Sequence, residues 1–314
     1  MGYDVLVLGS LVMDHKYFAA GRLGGADPVW GVQRHHGGVG RNIAVNTARL
    51  GACTVFAGLS GYGQDAADLE AELTGLGVRP LHVLRTDDGI GRWEALLDER
   101  GRQITSRIAL PDPAAAGALA GPALAGTVAA TKAVVAEGGL DEYLLTWLSR
   151  EAEKNGTPVC CLPTRQWDFG PRAHLLPLYD VLLLNACEAQ ALTGQPGTSA
   201  EHARRLLGFG PRVVVVTAGA DGAAVASAEQ PVPLTLPAEA GPCTDDTGAG
   251  DALASAFVVH LVRGASPRAA LALGLRAARL TIGCRQSTCR TLATDPALTA
   301  CRTGRSTPPG ERAS

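Results

Sequence analysis

Val213-Val214-Val215-Val216-Thr217 is an unbroken apolar run of β-branched residues, and Val181-Leu182-Leu183-Leu184-Asn185 is a second continuous apolar run. Such runs are typical of strands in a parallel sheet, because helices cover both faces of that kind of sheet. The two runs therefore predict buried strands at the centre of an α/β fold.

The same pattern of strand and helix extends along most of the chain. Shorter apolar segments predict further strands at Tyr3–Gly9, Cys53–Ala57, Lys132–Ala136 and Pro158–Leu162. Apolar residues at helical spacing predict helices at Arg41–Gly51, Ala66–Leu76, Tyr143–Lys154, Ala252–Arg263 and Pro267–Ile282. This alternation predicts a doubly wound, mostly parallel sheet with helices on both faces.

Two stretches interrupt the alternation. Residues 12–36 and 90–108 contain β segments with turn residues, the second as a hairpin around Asp98–Gly101. They predict a small separate sheet placed as a lid. We expect residues 1–302 to form one domain and residues 303–314, which are rich in Pro, Gly, Ser, Arg and Thr, to form a disordered tail.

Composition and charge limit the classes of function. The 28 basic and 30 acidic residues give a net charge of −2, which offers no indication of a nucleic-acid partner. No apolar stretch approaches the roughly 20 residues that span a bilayer, and no basic segment precedes an apolar one at the start. We therefore expect no membrane association, no secretion signal and a cytoplasmic protein.

The cysteines and histidines give no metal-binding pattern. Eight cysteines are scattered at positions 53, 160, 161, 187, 243, 284, 289 and 301. None forms a C-x-x-C pair, and the seven histidines lack the spacing of zinc motifs. We therefore expect reduced thiols, several of them small core residues, rather than a metal site.

One glycine-rich stretch, His36-Gly37-Gly38-Val39-Gly40-Arg41-Asn42, leads directly into a predicted helix. Its glycines allow the backbone to approach a ligand closely, and Asn42 can offer its amide to a hydroxyl. A plain turn followed by a helix cap is the alternative interpretation. The chain has neither the Walker-type phosphate loop nor the G-x-G-x-x-G dinucleotide motif.

A second stretch reads Thr244-Asp245-Asp246-Thr247-Gly248-Ala249-Gly250-Asp251 before a predicted helix. Free N–H groups of Gly248–Gly250 at a helix start suit a phosphate in transfer. Asp251 would repel a resting phosphate, but it suits a general base that faces an attacking hydroxyl. That combination is what phosphoryl transfer from a nucleotide to an alcohol requires. A helix-starting cap at Asp251 is the alternative.

Together, the two stretches resemble the paired signatures of the ribokinase-like (phosphofructokinase-B type) carbohydrate and nucleoside kinases. Their order and separation agree with the family, and the resemblance extends from about Tyr3 to Leu292. It implies a ribokinase-like fold, ATP and Mg²⁺ as cofactors, and Asp251 as the catalytic base. It also implies that Gly248, Ala249 and Gly250 form the anion hole.

The resemblance assigns further residues along the chain. It implies acceptor binding by Asp14 together with Gly38, Gly40 and Asn42. Asn185 and Glu188 match the family's N-x-x-E, in which the glutamate helps to organise Mg²⁺. Thr217, Gly219 and Gly222 match a turn that lies along the nucleotide. Taken one at a time, these residues also fit ordinary turns and helix caps. Family members often form dimers through their lids, so a homodimer is a further expectation.

The stretch from Gly37 to Ala44 resembles pseudouridine kinases more than ribokinases. Val39 stands where ribokinases usually carry lysine, which removes a charge from the sugar pocket and favours a neutral nucleoside. Trp93 is a candidate for stacking on a base, with ordinary lid packing as the alternative. A kinase of free ribose or a related sugar, and a binding protein without catalysis, are the alternative functions.

Three features depart from the family pattern. Near Gly63–Asp65, Asp68 replaces a later glycine of the family. Asp246 stands where the family usually has threonine, which predicts a second carboxylate beside the phosphate site. The loop Gly283–Arg290 does not match the monovalent-cation loop of ribokinases.

Overall fold

The computed structural model describes residues 2–19, 29–98, 103–164 and 172–300. Most of the predicted turn at Asp98–Gly101 and all of the predicted tail 303–314 lie outside these residues. A single domain over residues 1–302 therefore stays a prediction.

The described residues form a nine-stranded main sheet. Its strands are β1 (Tyr3–Leu8), β4 (Thr54–Ser60), β5 (Arg79–Arg85), β8 (Thr131–Glu137), β9 (Val159–Leu162), β10 (Val181–Asn185), β11 (Val213–Thr217), β12 (Ala223–Ser227) and β13 (Leu234–Leu236). Their order is β13-β12-β11-β10-β9-β8-β1-β4-β5. The strands from β11 to β5 are parallel, while β12 and β13 extend the sheet in antiparallel fashion. The predicted mostly parallel sheet is confirmed.

Helices cover both faces of this sheet. They are α1 (Val39–Arg49), α2 (Gln64–Gly75), α3 (Pro122–Ala129), α4 (Glu142–Asn155), α5 (Ala186–Thr193), α6 (Ser199–Leu207), α7 (Ala249–Val262), α8 (Pro267–Ile282) and the single turn α9 (Pro296–Thr299). Val5 and Val7 of β1 pack in one core cluster with α1, α2, α7 and α8, whereas Leu6 and Leu8 pack in another with α3 to α6. Successive strand residues point to opposite faces, so the apolar runs supply both cores at once.

A four-stranded lid stands apart from the main sheet. Its strands are β2 (Val12–Ala19), β3 (Val29–Gly37), β6 (Gly91–Leu97) and β7 (Gln103–Ala109), in the order β3-β2-β6-β7. Asp14 on β2 pairs with His35 on β3 and with Trp93 on β6. Residues paired in this way project from the same face of a sheet, so Trp93 shares the face of Asp14.

The prediction of eight reduced cysteines is wrong for one pair. Cys284 and Cys289 are joined by a disulfide, because the loop between them folds back and brings their Cα atoms to 6.0 Å, within the usual range for such a bond. Cys160 and Cys161 lie buried in β9 as the expected small core residues. Among the described residues, no helix has the length and apolar composition needed to cross a membrane.

Candidate active site

The predicted site residues gather at the carboxyl ends of the parallel strands. Asn185 ends β10 and Thr217 ends β11. Two residues that were not predicted, Glu137 at the end of β8 and Ser10 two residues after β1, lie at the same edge of the sheet. Strands β4 and β5 lie on one side of β1 in the sheet, and strands β8 to β11 lie on its other side, so the strand order switches at β1. Ligands of open α/β sheets bind at such a switch in strand order, so the location suits a binding site.

The glycine turn before α7 adopts a conformation that requires glycine. Gly248 has a φ of 83°, and a Cβ there would lie 2.1 Å from the carbonyl oxygen of Ser287. Helix α7 begins at Ala249, three residues earlier than predicted, so Gly250 and Asp251 belong to its first turn. The Ala249 N–H donates to the carbonyl of Asp246 at 3.2 Å. The first turn leaves N–H groups that the helix itself cannot satisfy.

Asp251 is partly buried and lines a cavity of about 190 Å³. Burial raises the pKa of its carboxyl group to about 7, although a hydrogen bond from Asn42 acts in the opposite direction. Repulsion from Glu137, Asp14 and Glu188 raises the pKa further. A carboxyl group that titrates near neutral pH can take up a proton during a reaction at that pH.

Asn42 contacts Asp251 directly. Its Nδ2 donates to Asp251 Oδ2 at 2.8 Å, and the asparagine is almost completely buried. The resemblance implied that Asn42 orients the acceptor, whereas its amide nitrogen is directed at the predicted base. The two residues are 209 positions apart in the chain, so no local pattern could indicate this contact.

Asp14 forms the other acidic side of the site. Its carboxylate packs against the backbone of Gly37, where a Cβ would lie 2.3 Å from Oδ2. Burial raises the pKa of Asp14 to about 6, while Lys16 and Arg41 oppose that rise. Asp14 therefore holds a buried carboxyl group on the lid, near enough to Asp251 for the two charges to repel each other.

The glycines of the first motif close the start of α1 onto β1. Gly38 has a φ of 99°, and a Cβ there would lie 2.5 Å from the carbonyl oxygen of Ser10. The N–H of Gly40 donates to a carboxylate oxygen of Glu137. Gly38 and Gly40 thus permit the close approach of two backbone segments rather than presenting side chains.

Asn185 and Glu188 form a reciprocal cap on α5. The Glu188 N–H donates to Asn185 Oδ1 and the Asn185 N–H donates to Glu188 Oε2, both at 2.9 Å. Burial raises the pKa of Glu188 to about 7, with the hydrogen bonds from Asn185 opposing it. Both residues line the cavity below Asp251.

Magnesium fits the chemistry of this cavity. No group of three or more His, Cys, Asp or Glu side chains among the described residues is placed to hold a metal by itself. Mg²⁺ usually needs only one or two carboxylates, because waters and substrate phosphates supply its other ligands. Glu188 meets that requirement.

The predicted nucleotide turn lies at the end of β11. Gly219–Asp221 is a single 3₁₀ turn, and the Ala218 N–H donates to the carbonyl of Gly222 at 2.8 Å. Thr217 lines the same cavity as Asp251 and Glu188. The turn therefore begins next to a residue that lines the cavity.

Two residues at the site were missed by sequence reasoning. Glu137 accepts hydrogen bonds from the Ser10 N–H and hydroxyl, each at 3.0 Å, as well as from Gly40. Lys16 on the lid pairs with Asp245 at 2.6 Å. A carboxylate just after a buried strand was the one local signal for Glu137.

The structure changes the account of the two adjacent aspartates. Asp245 points inward to Lys16 and also accepts from the Thr247 N–H at 2.9 Å, whereas Asp246 is exposed. Asp245 is therefore the carboxylate held against the glycine turn, and Asp246 is directed to solvent.

Comparison with known proteins identifies the family of the chain. The family model for pfkB family carbohydrate kinases matches residues 3–292. The chain therefore belongs to the pfkB family of carbohydrate kinases, the ribokinase-like phosphotransferases with alcohol acceptors.

Curated relatives cover different shares of the chain. Ribokinase of Mus musculus is 38% identical over 98 residues, 30% of this chain and 30% of that protein. Bifunctional protein HldE of Ectopseudomonas mendocina is 28% identical over 89% of this chain and 60% of that protein. Guanosine-inosine kinase of Exiguobacterium acetylicum is 27% identical over 87% of this chain and 92% of that protein. The chain thus spans less than two thirds of the first two.

Solved structures share the fold. Ribokinase of Arabidopsis thaliana, complexed with ribose and ATP, matches with a TM-score of 0.79 and 22% identity over 95% of this chain and 99% of that one. Adenosine kinase of Sinorhizobium meliloti matches with a TM-score of 0.79 and 19% identity over 96% and 99%. The predicted ribokinase-like fold is confirmed.

Proposed function

We propose that this protein is an ATP-dependent kinase that phosphorylates the 5′-hydroxyl of a ribonucleoside, with pseudouridine as the expected acceptor. The observation that supports this proposal most directly is the Asp251 carboxyl group in the first turn of α7, three residues after Gly248. Its pKa of about 7 suits a general base. A base beside an anion-binding turn is the pair that this reaction needs.

In the proposed reaction, Asp14 orients the acceptor and Asp251 receives the proton of its attacking hydroxyl. Backbone N–H groups at the start of α7, chiefly those of Gly248 and Gly250, stabilise the negative charge on the phosphoryl group in transfer. Thr217, Gly219 and Gly222 lie along the nucleotide, while Asn185 holds Glu188 in position. Mg²⁺ near Glu188 would neutralise charge on the nucleotide phosphates.

Two residues favour a nucleoside over a free sugar. Val39 lines the cavity beside Asp251 and brings no charge to it. Trp93 is half-buried on the lid face of Asp14, where an aromatic ring can stack on a base. A relative named guanosine-inosine kinase supports the nucleoside class, and relatives named ribokinase support a free sugar as the alternative.

A substrate panel tests this proposal. The protein is incubated with ATP, Mg²⁺ and one of pseudouridine, uridine, cytidine, adenosine, ribose or fructose 6-phosphate, and ADP release is measured. We expect the fastest turnover with a nucleoside. Preference for ribose over every nucleoside would select the sugar kinase, and no release with any acceptor would select a binding protein.

Replacing the candidate stacking residue separates the two acceptor classes. Because base–aromatic stacking contributes about 1–3 kcal/mol, we expect Trp93→Ala to raise KM for a nucleoside about tenfold or more while leaving turnover of ribose unchanged. Tyr17→Ala on the opposite face of the lid is the matched control and should alter neither. An equal rise in KM for both acceptors in Trp93→Ala would assign Trp93 to lid packing.

The pH dependence follows from the state of the base. Asp251 must be ionised to accept a proton, and its pKa is about 7, so kcat/KM should fall about tenfold per pH unit well below pH 7. Steady-state rates with the nucleoside acceptor from pH 5 to 9 measure this acid limb. An apparent pKa near 4 for this fall in kcat/KM, as for an ordinary aspartate, would show that Asp251 is not the base.

Location and assembly complete the proposal. ATP is the donor, so we assign the reaction to the cytoplasm, and we propose a homodimer through the lid. Val32 on β3 is 55% exposed and pairs with Tyr17 on the face of the lid opposite Asp14, which supports a further contact for that face. Sedimentation of the protein with and without the substitution Val32→Glu tests the dimer.

A further inference from the structure

A buried chain of polar contacts leads from the protein surface to Asp251. Glu72 on α2 accepts from Arg41 Nη2 at 2.6 Å, Arg41 Nη1 donates to Asn42 Oδ1 at 2.9 Å, and Asn42 Nδ2 donates to Asp251. Arg41 and Asn42 are 3% and 5% exposed, so these contacts do not face solvent.

The contacts fix the direction of the Asn42 amide. An amide has an accepting oxygen and a donating nitrogen, and Oδ1 of Asn42 receives two donors, Arg41 Nη1 and the Ser287 hydroxyl at 3.1 Å. A reversed amide would turn its oxygen to the Asp251 carboxylate and its nitrogen to the guanidinium. Both contacts would be repulsive, so the arginine forces Nδ2 toward Asp251.

The position of Arg41 is itself fixed from the other end. Burial alone would raise the pKa of Glu72, but hydrogen bonds from His36 and Arg41 outweigh it and lower the pKa to about 2. Glu72 is therefore a carboxylate at any working pH and holds the guanidinium by charge. Thr288 adds an acceptor for Arg41 Nη1 at 3.5 Å.

We infer that Arg41, held by Glu72, is a positioning residue for the base, because it orients the Asn42 amide that donates to Asp251. The inference rests on the proposed role of Asp251. A hydrogen bond to the ionised form of a carboxyl group favours that form. Arg41 thus sets the pH range in which Asp251 is ready to accept a proton, against the opposing charges of Glu137, Asp14 and Glu188.

The test is the acid limb of kcat/KM in Arg41→Met, which keeps the length of the side chain and removes its donors. We expect the limb to move to higher pH by about one unit, the scale of one hydrogen bond to a charged group. Activity should fall about tenfold at pH 6 and stay within about threefold of the parent protein at pH 9. KM for ATP should not change.

Arg85→Met is the matched control, since Arg85 also pairs with a glutamate of α2, Glu70, at 2.5 Å but lies outside this chain of contacts. Its limb should not move. Asn42→Leu should shift the limb as Arg41→Met does, and the double variant should shift it no further, because both remove the same hydrogen bond.

Two results would overturn the inference. One is an equal loss of activity at pH 6 and pH 9 in Arg41→Met with an unmoved acid limb of kcat/KM. The other is additive shifts of that limb in the double variant. If Arg41→Met does not fold, Glu72→Gln must move the limb in the same direction by a smaller amount, and an unmoved limb there also overturns it. Near-normal activity of Asp251→Asn would instead reject the role of Asp251 in the proposed function.

Discussion

Asp251→Asn should lower kcat by at least about a hundredfold and leave the affinity for ATP nearly unchanged, as expected for loss of a general base. Asparagine has almost the same shape and can still accept the hydrogen bond from Asn42. The substitution therefore removes the proton acceptor without opening a cavity. Steady-state kinetics with a nucleoside and nucleotide binding by calorimetry give the two measurements.

The chain supplies a matched control for this substitution. Asp246→Asn changes the same type of side chain five residues away, but Asp246 is exposed, so its kcat should remain near that of the parent protein. A fall in kcat in Asp246→Asn as large as in Asp251→Asn would indicate that charge near the glycine turn matters rather than a base. A normal kcat in Asp251→Asn would exclude the assigned role.

Gly248→Ala should lower kcat by about a hundredfold or more, which is the scale of losing one donor to a developing charge. The added Cβ would lie 2.1 Å from the Ser287 carbonyl oxygen, so the glycine turn and the loop of Ser287 must move apart. Displacement of about 1 Å at a reacting group can by itself cost a hundredfold in rate. Single-turnover phosphoryl transfer measures the loss directly.

Gly264→Ala separates displacement from backbone strain. Gly264 has a φ of 88°, close to the 83° of Gly248, but no atom lies within 4 Å of a Cβ built there. Both variants lose about 1–2 kcal/mol of stability from the left-handed conformation, and only Gly248→Ala should lose activity. Equal values of kcat in the two variants would show that the glycine turn does not act on the phosphoryl group in transfer.

Local sequence was sufficient for the central elements. β10, β11 and α8 have the predicted bounds. The two strands are buried on both faces, so each one appears in the sequence as an apolar run. Helix α8 has Ser266 as its cap and Pro267 as its first residue, and both are typical of a helix start. The edge strand Arg79–Arg85 was missed, because its half-exposed residues include arginine, proline and histidine rather than an apolar run.

The candidate site residues could be predicted only where they belong to a local sequence motif. Asp251, Asn185 and Glu188 stand in local patterns, and their neighbours in space could be expected from the family resemblance. Ser287 meets Asn42 across 245 positions and Lys16 meets Asp245 across 229, so those contacts depend on how the whole sheet folds. Arg41 belongs to the first glycine-rich motif, His36–Asn42. Its proposed positioning role depends on Glu72 of α2, which lies outside that motif.

The buried carboxyl groups also have a consequence for the stability of the protein without ligands. Burial raises the pKa of Asp14 to about 6 and those of Glu188 and Asp251 to about 7, above the values of an unfolded chain. The folded protein therefore binds more protons than the unfolded chain between about pH 4 and pH 7. The contribution of these groups to the free energy of unfolding is full below pH 4 and falls as pH rises through that range. These groups thus lower the free energy of unfolding of the unliganded protein most at the pH values where Asp251 is ionised. A bound cation would offset that loss of stability.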